Sequence, residues 1–91
     1  MGYASTNPIV LRMSRSNREK KKLQELLREL RDDAGLRQVD LAKRLGRHQS
    51  FVSKYESGEK NLDFLELREV CVALGVPPVE FVRRFEREAS K

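Results

Sequence analysis

Between Gln38 and Gly58 the sequence reads QVDLAKRLGRHQSFVSKYESG, two short helical stretches hinged at a glycine. Few folds accept that pattern. Leu41, Ala42 and Leu45 give the first stretch one apolar face, and Val52 with Tyr55 gives the second a narrower one. Both faces must meet one core, so the chain turns sharply at Gly46 between them. The outward side of the second stretch is polar and basic. A helix pinned to a core on one side and polar on the other suits the major groove of duplex DNA.

The charge pattern points the same way. The chain has 91 residues, 36% of them charged, and a formal net charge of +5. Arg12 to Arg31 carries eight basic and three acidic residues, and Arg37 to Lys54 carries five basic residues against Asp40 alone. Glu56 to Glu69 reverses the sign, with five acids against Lys60 and Arg68. Positive charge gathered on the helix pair suits a polyanionic partner; the competing reading is a solvated face with incidental bias. A chain of this length is expected to build one small core, without a separate catalytic or sensor domain. The single cysteine, Cys71, excludes an intramolecular disulfide and a cysteine-rich metal site, and it suits a reducing cytoplasm. Pro8 to Leu11 is the longest apolar run near the N-terminus, too short for a signal-peptide core or a membrane span. The expected chain is soluble and cytoplasmic, with no membrane partner.

Three further helices frame the pair. Leu23, Leu26, Leu27, Leu30 and Ala34 recur at three- and four-residue spacing. That first helix is expected to start at Ser16, where Ser16 and Glu19 have capping-box spacing, and to stop at Gly35. The second helix spans Gln38 to Leu45 and the third Gln49 to Ser57. Asp63 and Glu66 form a second capping box, with Leu62 and Leu67 as a hydrophobic staple across it. Leu67, Val70, Cys71 and Leu74 are the buried stripe of the fourth helix. The fifth begins near Pro78, where a missing N–H costs nothing, and presents Phe81, Val82 and Phe85. The expected organisation is a flexible N-terminal arm over 1–15, a domain over 16–87 and frayed residues 88–91. Ile9 to Leu11 read as extended; disorder, an arm exchanged between subunits and a leftover outside the domain all remain open for the segment. Strand alternation is missing elsewhere. The fold class is therefore all-α, a compact five-helix domain with the helix-turn-helix at its second and third helices.

Leu30 to Phe85 closely resembles the Cro/repressor-type helix-turn-helix family, also called the XRE family. The resemblance rests on Gln38-x-x-Leu41-Ala42, on Val52-Ser53-x-x-Glu56-x-Gly58, and on Ala-Leu-Gly-Val at 73–76 before a final helix. It covers roughly 60% of the chain and leaves the first fifteen residues outside. It implies a lambda-repressor-like domain that binds operator DNA and regulates transcription, for instance as a repressor. It also implies a partly buried ion pair between Arg31 and Glu56, and a phosphate contact from Gln38. In physical terms, Ala42 is small where the two helices cross, and Val52 anchors the reading helix to the core. The sequence departs from the family at two caps. Arg37 stands where threonine or serine is usual, which loses a cap and adds a cation. His48 likewise replaces the usual cap of the third helix, as a phosphate ligand or a weak cap.

Gln49 is the leading candidate for a base contact. Its amide matches the N6 and N7 of adenine, and it lies in the first turn of the third helix. Lys54 sits about one turn on, to read guanine or to hold a phosphate. Ser50 and Ser53 offer small hydroxyls to base edges or phosphates, or in the case of Ser53 back to its own helix. Phe51 reads either as a thymine-methyl contact or, preferably, as packing beside the connection to the fourth helix. Arg37, Gln38, Arg47, His48, Lys60 and Asn61 are the candidate phosphate contacts, which give affinity without sequence information.

One such helix touches few base pairs, so a homodimer on a palindrome is expected, with Val79, Phe81, Val82 and Phe85 as its interface. The alternative is a protein-interaction module, antitoxin-like or regulator-binding, with incidental DNA affinity. The polar start of the third helix argues against it. An enzyme is not expected. One His at a helix end and one Cys on a core face make no catalytic constellation, and no metal or cofactor is called for.

Overall fold

From Ile9 to Ala34 the chain holds neither proline nor glycine, and nearly all of it is one helix. The computed structural model describes the backbone of residues 9–90 and the side chains of residues 17–90. Its elements are α1 (Ile9–Asp33), α2 (Gln38–Leu45), α3 (Gln49–Ser57), α4 (Phe64–Leu74) and α5 (Pro78–Ala89). The architecture is all-α, with the helix-turn-helix at α2 and α3. The first helix begins at Ile9, not at Ser16, which lies in its interior. A capping-box pattern needs a free helix end, and residues 9–15 contain no breaker to create one. The extended reading of Ile9 to Leu11 is corrected with it; residues 1–8 lie outside the described residues. At the other end α5 continues to Ala89, past the expected fray at 88.

The core gathers one stripe from each helix. Leu26, Leu27 and Leu30 of α1 meet Leu41 and Ala42 of α2, Val52 and Tyr55 of α3, Val70, Cys71 and Leu74 of α4, and Phe81 of α5. Each buried leucine, valine or phenylalanine among them contributes about 1.5–3 kcal/mol by leaving water. Helix α1 packs on α3 and α5, α2 on α3 and α4, and α4 on α5. Ala34, placed by spacing on the leucine face of α1, is exposed beyond the last helical residue. Burial pushes the Cys71 thiol up to about 11, so it stays protonated as a small apolar group.

Local chemistry sets the helix ends. At the start of α4, Glu66 N–H donates to Asp63 at 2.7 Å and Asp63 N–H donates to Glu66 at 3.0 Å, the expected reciprocal box. Between α2 and α3, Gly46 adopts φ 68°, and Arg47 N–H reaches back to Ala42 O at 3.0 Å. That closure satisfies the last carbonyls of α2 and swings the chain into α3. At Gly58, φ is 89°, and a Cβ there would lie 2.9 Å from Gln24 Nε2. The α3–α4 connection therefore lies against α1 through a glycine.

Arg31 ties these pieces together. It is 8% exposed. Its Nε and Nη2 donate to Glu56 at 2.7 and 3.0 Å, and Nη1 donates to Leu36 O at 2.8 Å. The hydrogen bond donated to Glu56 raises the Arg31 pKa further, against the opposing effect of burial. The pair bolts α3 to the end of α1, as the resemblance implied. Removing one partner strands a buried charge, so Arg31→Ala and Glu56→Ala should each cost about 3–5 kcal/mol in urea unfolding. Arg31→Ala/Glu56→Ala should cost clearly less than the two singles together; strict additivity would mean the charges do not depend on each other.

Candidate nucleic-acid interface

The ion pair does not stop at the core. Glu56 Oε1 also accepts from Gln38 Nε2 at 3.0 Å, and Gln38 Oε1 accepts from Gln49 Nε2 at 3.3 Å. The direction of this relay is chemically forced. A carboxylate can only accept, so Gln38 must turn its NH2 to Glu56 and its oxygen outward. Gln49 must then offer an N–H to that oxygen. It keeps Oε1 and its second N–H for another partner. An acceptor beside a donor on one planar amide is what the N6–H and N7 of adenine require. Gln49 is exposed at the first turn of α3, while the Glu56 carboxylate behind it is almost fully buried. Gln38, named as a phosphate contact, retains one N–H outside the relay.

The rest of α3 fits its dual role. Val52 and Tyr55 face the core. Lys54 is exposed and forms no ion pair among the described residues. Ser50 and Ser53 are half-buried beside it. Ser53 shows no hydrogen bond back to its own helix. His48 caps α3: its Nδ1 accepts from Ser50 N–H at 3.1 Å and lies 3.1 Å from Ser50 Oγ. Of its two readings, the capping one is realised in this conformation.

The flanking cations are partnered. Arg37 opens α2 without a side-chain acceptor, and Asp40 compensates. The Asp40 carboxylate accepts Arg37 N–H at 2.9 Å and the guanidinium at 3.0 and 2.9 Å. Asp40 thus supplies one half of a capping box, and its own N–H turns to Arg37 O at 3.1 Å instead of to a cap side chain. Arg47 reaches Glu69 at 3.4 Å, and its guanidinium lies 4.4 Å from the centre of the Phe51 ring. Lys60 Nζ lies 5.7 Å from the same ring and 3.3 Å from Glu66. Asn61 is exposed next to Lys60. Phe51 itself is half-buried and meets Tyr55 edge to ring at 5.6 Å. It takes the packing role and also brackets two cations.

Sequence reasoning missed two of these functions. Asp40 had a visible signal, an acid three residues past a cap position. Arg47 and Phe51 are four apart, but they lie across the helix-turn-helix turn, where helical spacing carries no information. On α5 the expected interface set divides. Phe81 is 2% exposed and belongs to the monomer's own core, so it is withdrawn from any interface. Phe85 packs partly against that core. Val79 and Val82 stay exposed, at 61% and 49%, and Leu65, Val72 and Phe64 of α4 are exposed too.

A family model described as a helix-turn-helix domain matches residues 23–83. Among solved structures, the chain is similar to an XRE-family like protein from Pseudomonas syringae pv. tomato str. DC3000. The two are 38% identical, the match covers 86% of this chain and 95% of that one, and the TM-score is 0.81. It is also similar to the wild-type restriction-modification controller protein C.Esp1396I, at 25% identity, with 80% and 96% of the chains covered and a TM-score of 0.75. No curated protein matches the chain.

The exposed Arg37–Asp40 pair yields a pH prediction. The guanidinium hydrogen bond, then the backbone N–H of Arg37, hold the Asp40 carboxyl down at about 2, from an ordinary 3.8. A depressed folded-state pKa means stabilisation present above about pH 4 and lost as pH falls through about 2. Carboxyl-detected NMR should find Asp40 titrating near 2 in the native chain and nearer 4 in Arg37→Ala. An unchanged value in that variant would show that the pair does not form in solution.

Proposed function

The chain belongs to the XRE-type helix-turn-helix family, and from that premise we propose that it reads a palindromic operator as a homodimer, with Gln49 at a base edge. The family membership makes it a DNA-binding transcriptional regulator. The observation that carries the finer reading is the relay from Arg31 through Glu56 and Gln38 to Gln49. It holds a base-reading amide in one orientation before DNA arrives, which spares the ordering cost on binding. Ser50, Ser53 and Lys54 stand on the same helix as further base or phosphate contacts. Arg37, Gln38, Arg47, His48, Lys60 and Asn61 border it and supply the sequence-independent affinity.

The dimer reading rests on exposed apolar side chains. Val79 and Val82 of α5, with Leu65 and Val72 of α4, lie bare to water although each helix also has a buried face. A dimer built through this face must hold its two α3 helices about 34 Å apart on one side of the duplex to read a palindrome. The same apolar surface also suits a different protein partner, the competing reading; a dimer that enriches no sequence would favour it. Among the described residues no helix is long and apolar enough to cross a membrane. A reader of operator DNA works in the cytoplasm. The solved controller of a restriction–modification system offers one kind of regulatory role for this chain.

Selection from a random duplex pool should recover a palindrome with half-site centres about one helical turn apart. Gln49→Ala should lose preference at one position in each half-site, worth about 1–3 kcal/mol of discrimination, while its salt dependence stays. An unaltered site with this variant would remove Gln49 from base reading. For the interface, Val82→Glu should give a folded monomer in sedimentation velocity, with weakened operator binding. If Val82→Glu remained dimeric, the seam would lie elsewhere.

A further inference from the structure

Between α1 and the α3–α4 connection lies a cavity of about 280 Å³, away from the apolar patch on α4 and α5. Its lining is Lys20, Leu23, Gln24 and Leu27 from α1, Tyr55 from α3, and Lys60, Asn61 and Leu62 from the connection. Burial grades the lining from inside to outside. Leu27 and Tyr55 are buried, Leu23, Gln24 and Leu62 are half-buried, and Lys20 and Asn61 are exposed at the mouth. The interior is thus apolar and the mouth polar, the usual division of a small-molecule site.

Two observations point to what it takes. The Tyr55 hydroxyl is buried and has no hydrogen-bond partner among the described residues. A buried phenol left without a partner is costly, and natural cores rarely keep one without a reason. The second observation is charge. The lining contains two lysines and no carboxylate. Lys60 shares its charge with Glu66 at 3.3 Å, whereas Lys20 has no ion-pair partner among the described residues. The mouth therefore carries uncompensated positive charge above an apolar interior with one unused polar group.

We propose that this cavity binds a small aromatic carboxylate, its ring between Leu23, Leu27 and Leu62, its carboxylate at Lys20 and Lys60, and a ring acceptor on the Tyr55 hydroxyl. The volume limits the ligand to on the order of ten to fifteen non-hydrogen atoms. For that size a dissociation constant of about 10 μM to 1 mM is expected. Lys60 and Asn61, proposed above as phosphate contacts, also line this site, but the proposal does not rest on that role, because binding is measured without DNA.

The test is a two-dimensional 1H–15N NMR titration of the full chain with 4-hydroxyphenylacetate. Saturable shifts confined to residues 20–27 and 55–62 are expected. The neutral 4-hydroxyphenylacetamide, and Lys20→Gln with the acid, should each bind about tenfold more weakly. Phenylacetate, which lacks the ring acceptor, should bind about threefold to tenfold more weakly to the native chain and equally to native and Tyr55→Phe protein. Because Tyr55→Phe removes only an unpartnered hydroxyl, that variant should keep its fold. Shifts that stay linear to 10 mM, that fall outside these segments, or that are matched by the amide would overturn the proposal.

Discussion

The buried pair of Arg31 and Glu56 is the constraint on which the reading surface depends. Helix α3 is only nine residues long, too short to be stable alone, and its apolar face is narrow. Val52 and Tyr55 hold it to the core through apolar contacts, which have no directional preference of their own. The two-pronged bond from Arg31, with its third donor on Leu36 O, supplies one at the end of α1. A buried ion pair is a weak source of net stability, because both charges leave water. Its value here is geometric: a planar guanidinium fixes both oxygens of Glu56, and those oxygens then have a defined side on which to receive Gln38.

Polarity along the relay follows from that single fact. An amide can be flipped at little local cost, since its two ends are nearly the same size. Beside a carboxylate it cannot, because an oxygen facing Glu56 would be repelled. The constraint passes from Gln38 to Gln49 by the same rule. The outermost amide thus has a preferred orientation although it is exposed. Hydroxyls such as Ser50 and Ser53 carry no comparable constraint, because an O–H rotates to suit whatever it meets.

Much of this was legible in the sequence where the chemistry is local. The capping box at Asp63 and Glu66, the turn at Gly46 and the inward faces of α2 to α4 each depend on residues within one or two turns. The start of α1 was misread for the complementary reason. Ser16 and Glu19 carry a local signal, but whether a helix end exists there depends on the residues before it. Phe81 and Val82 are adjacent and equally apolar, and only the packing of α1 on α5 decides which is spent inside. The Arg31–Glu56 bond was reached through family resemblance, since no spacing rule links residues 25 apart. The cavity beside Tyr55 was not legible at all. Its walls come from α1, α3 and the α3–α4 connection, brought together by tertiary contacts that have no sequence period.

The cations around α3 show how affinity and selectivity are balanced on the proposed interface. Arg37, Arg47 and Lys60 each have a carboxylate within 3.5 Å, from Asp40, Glu69 and Glu66. Surface pairs still reached by solvent, as these are, add little to stability. They mute the positive field of the free protein at long range, which restrains its hold on arbitrary DNA. On the proposed interface a phosphate would compete with those carboxylates for the same donors at short range. The Phe51 ring lies against both the guanidinium of Arg47 and the ammonium of Lys60, 4.4 and 5.7 Å from its centre. Lys54, exposed on the reading helix itself and unpaired among the described residues, is the exception that fits the rule. On the proposed interface, no acid among the described residues competes for its charge.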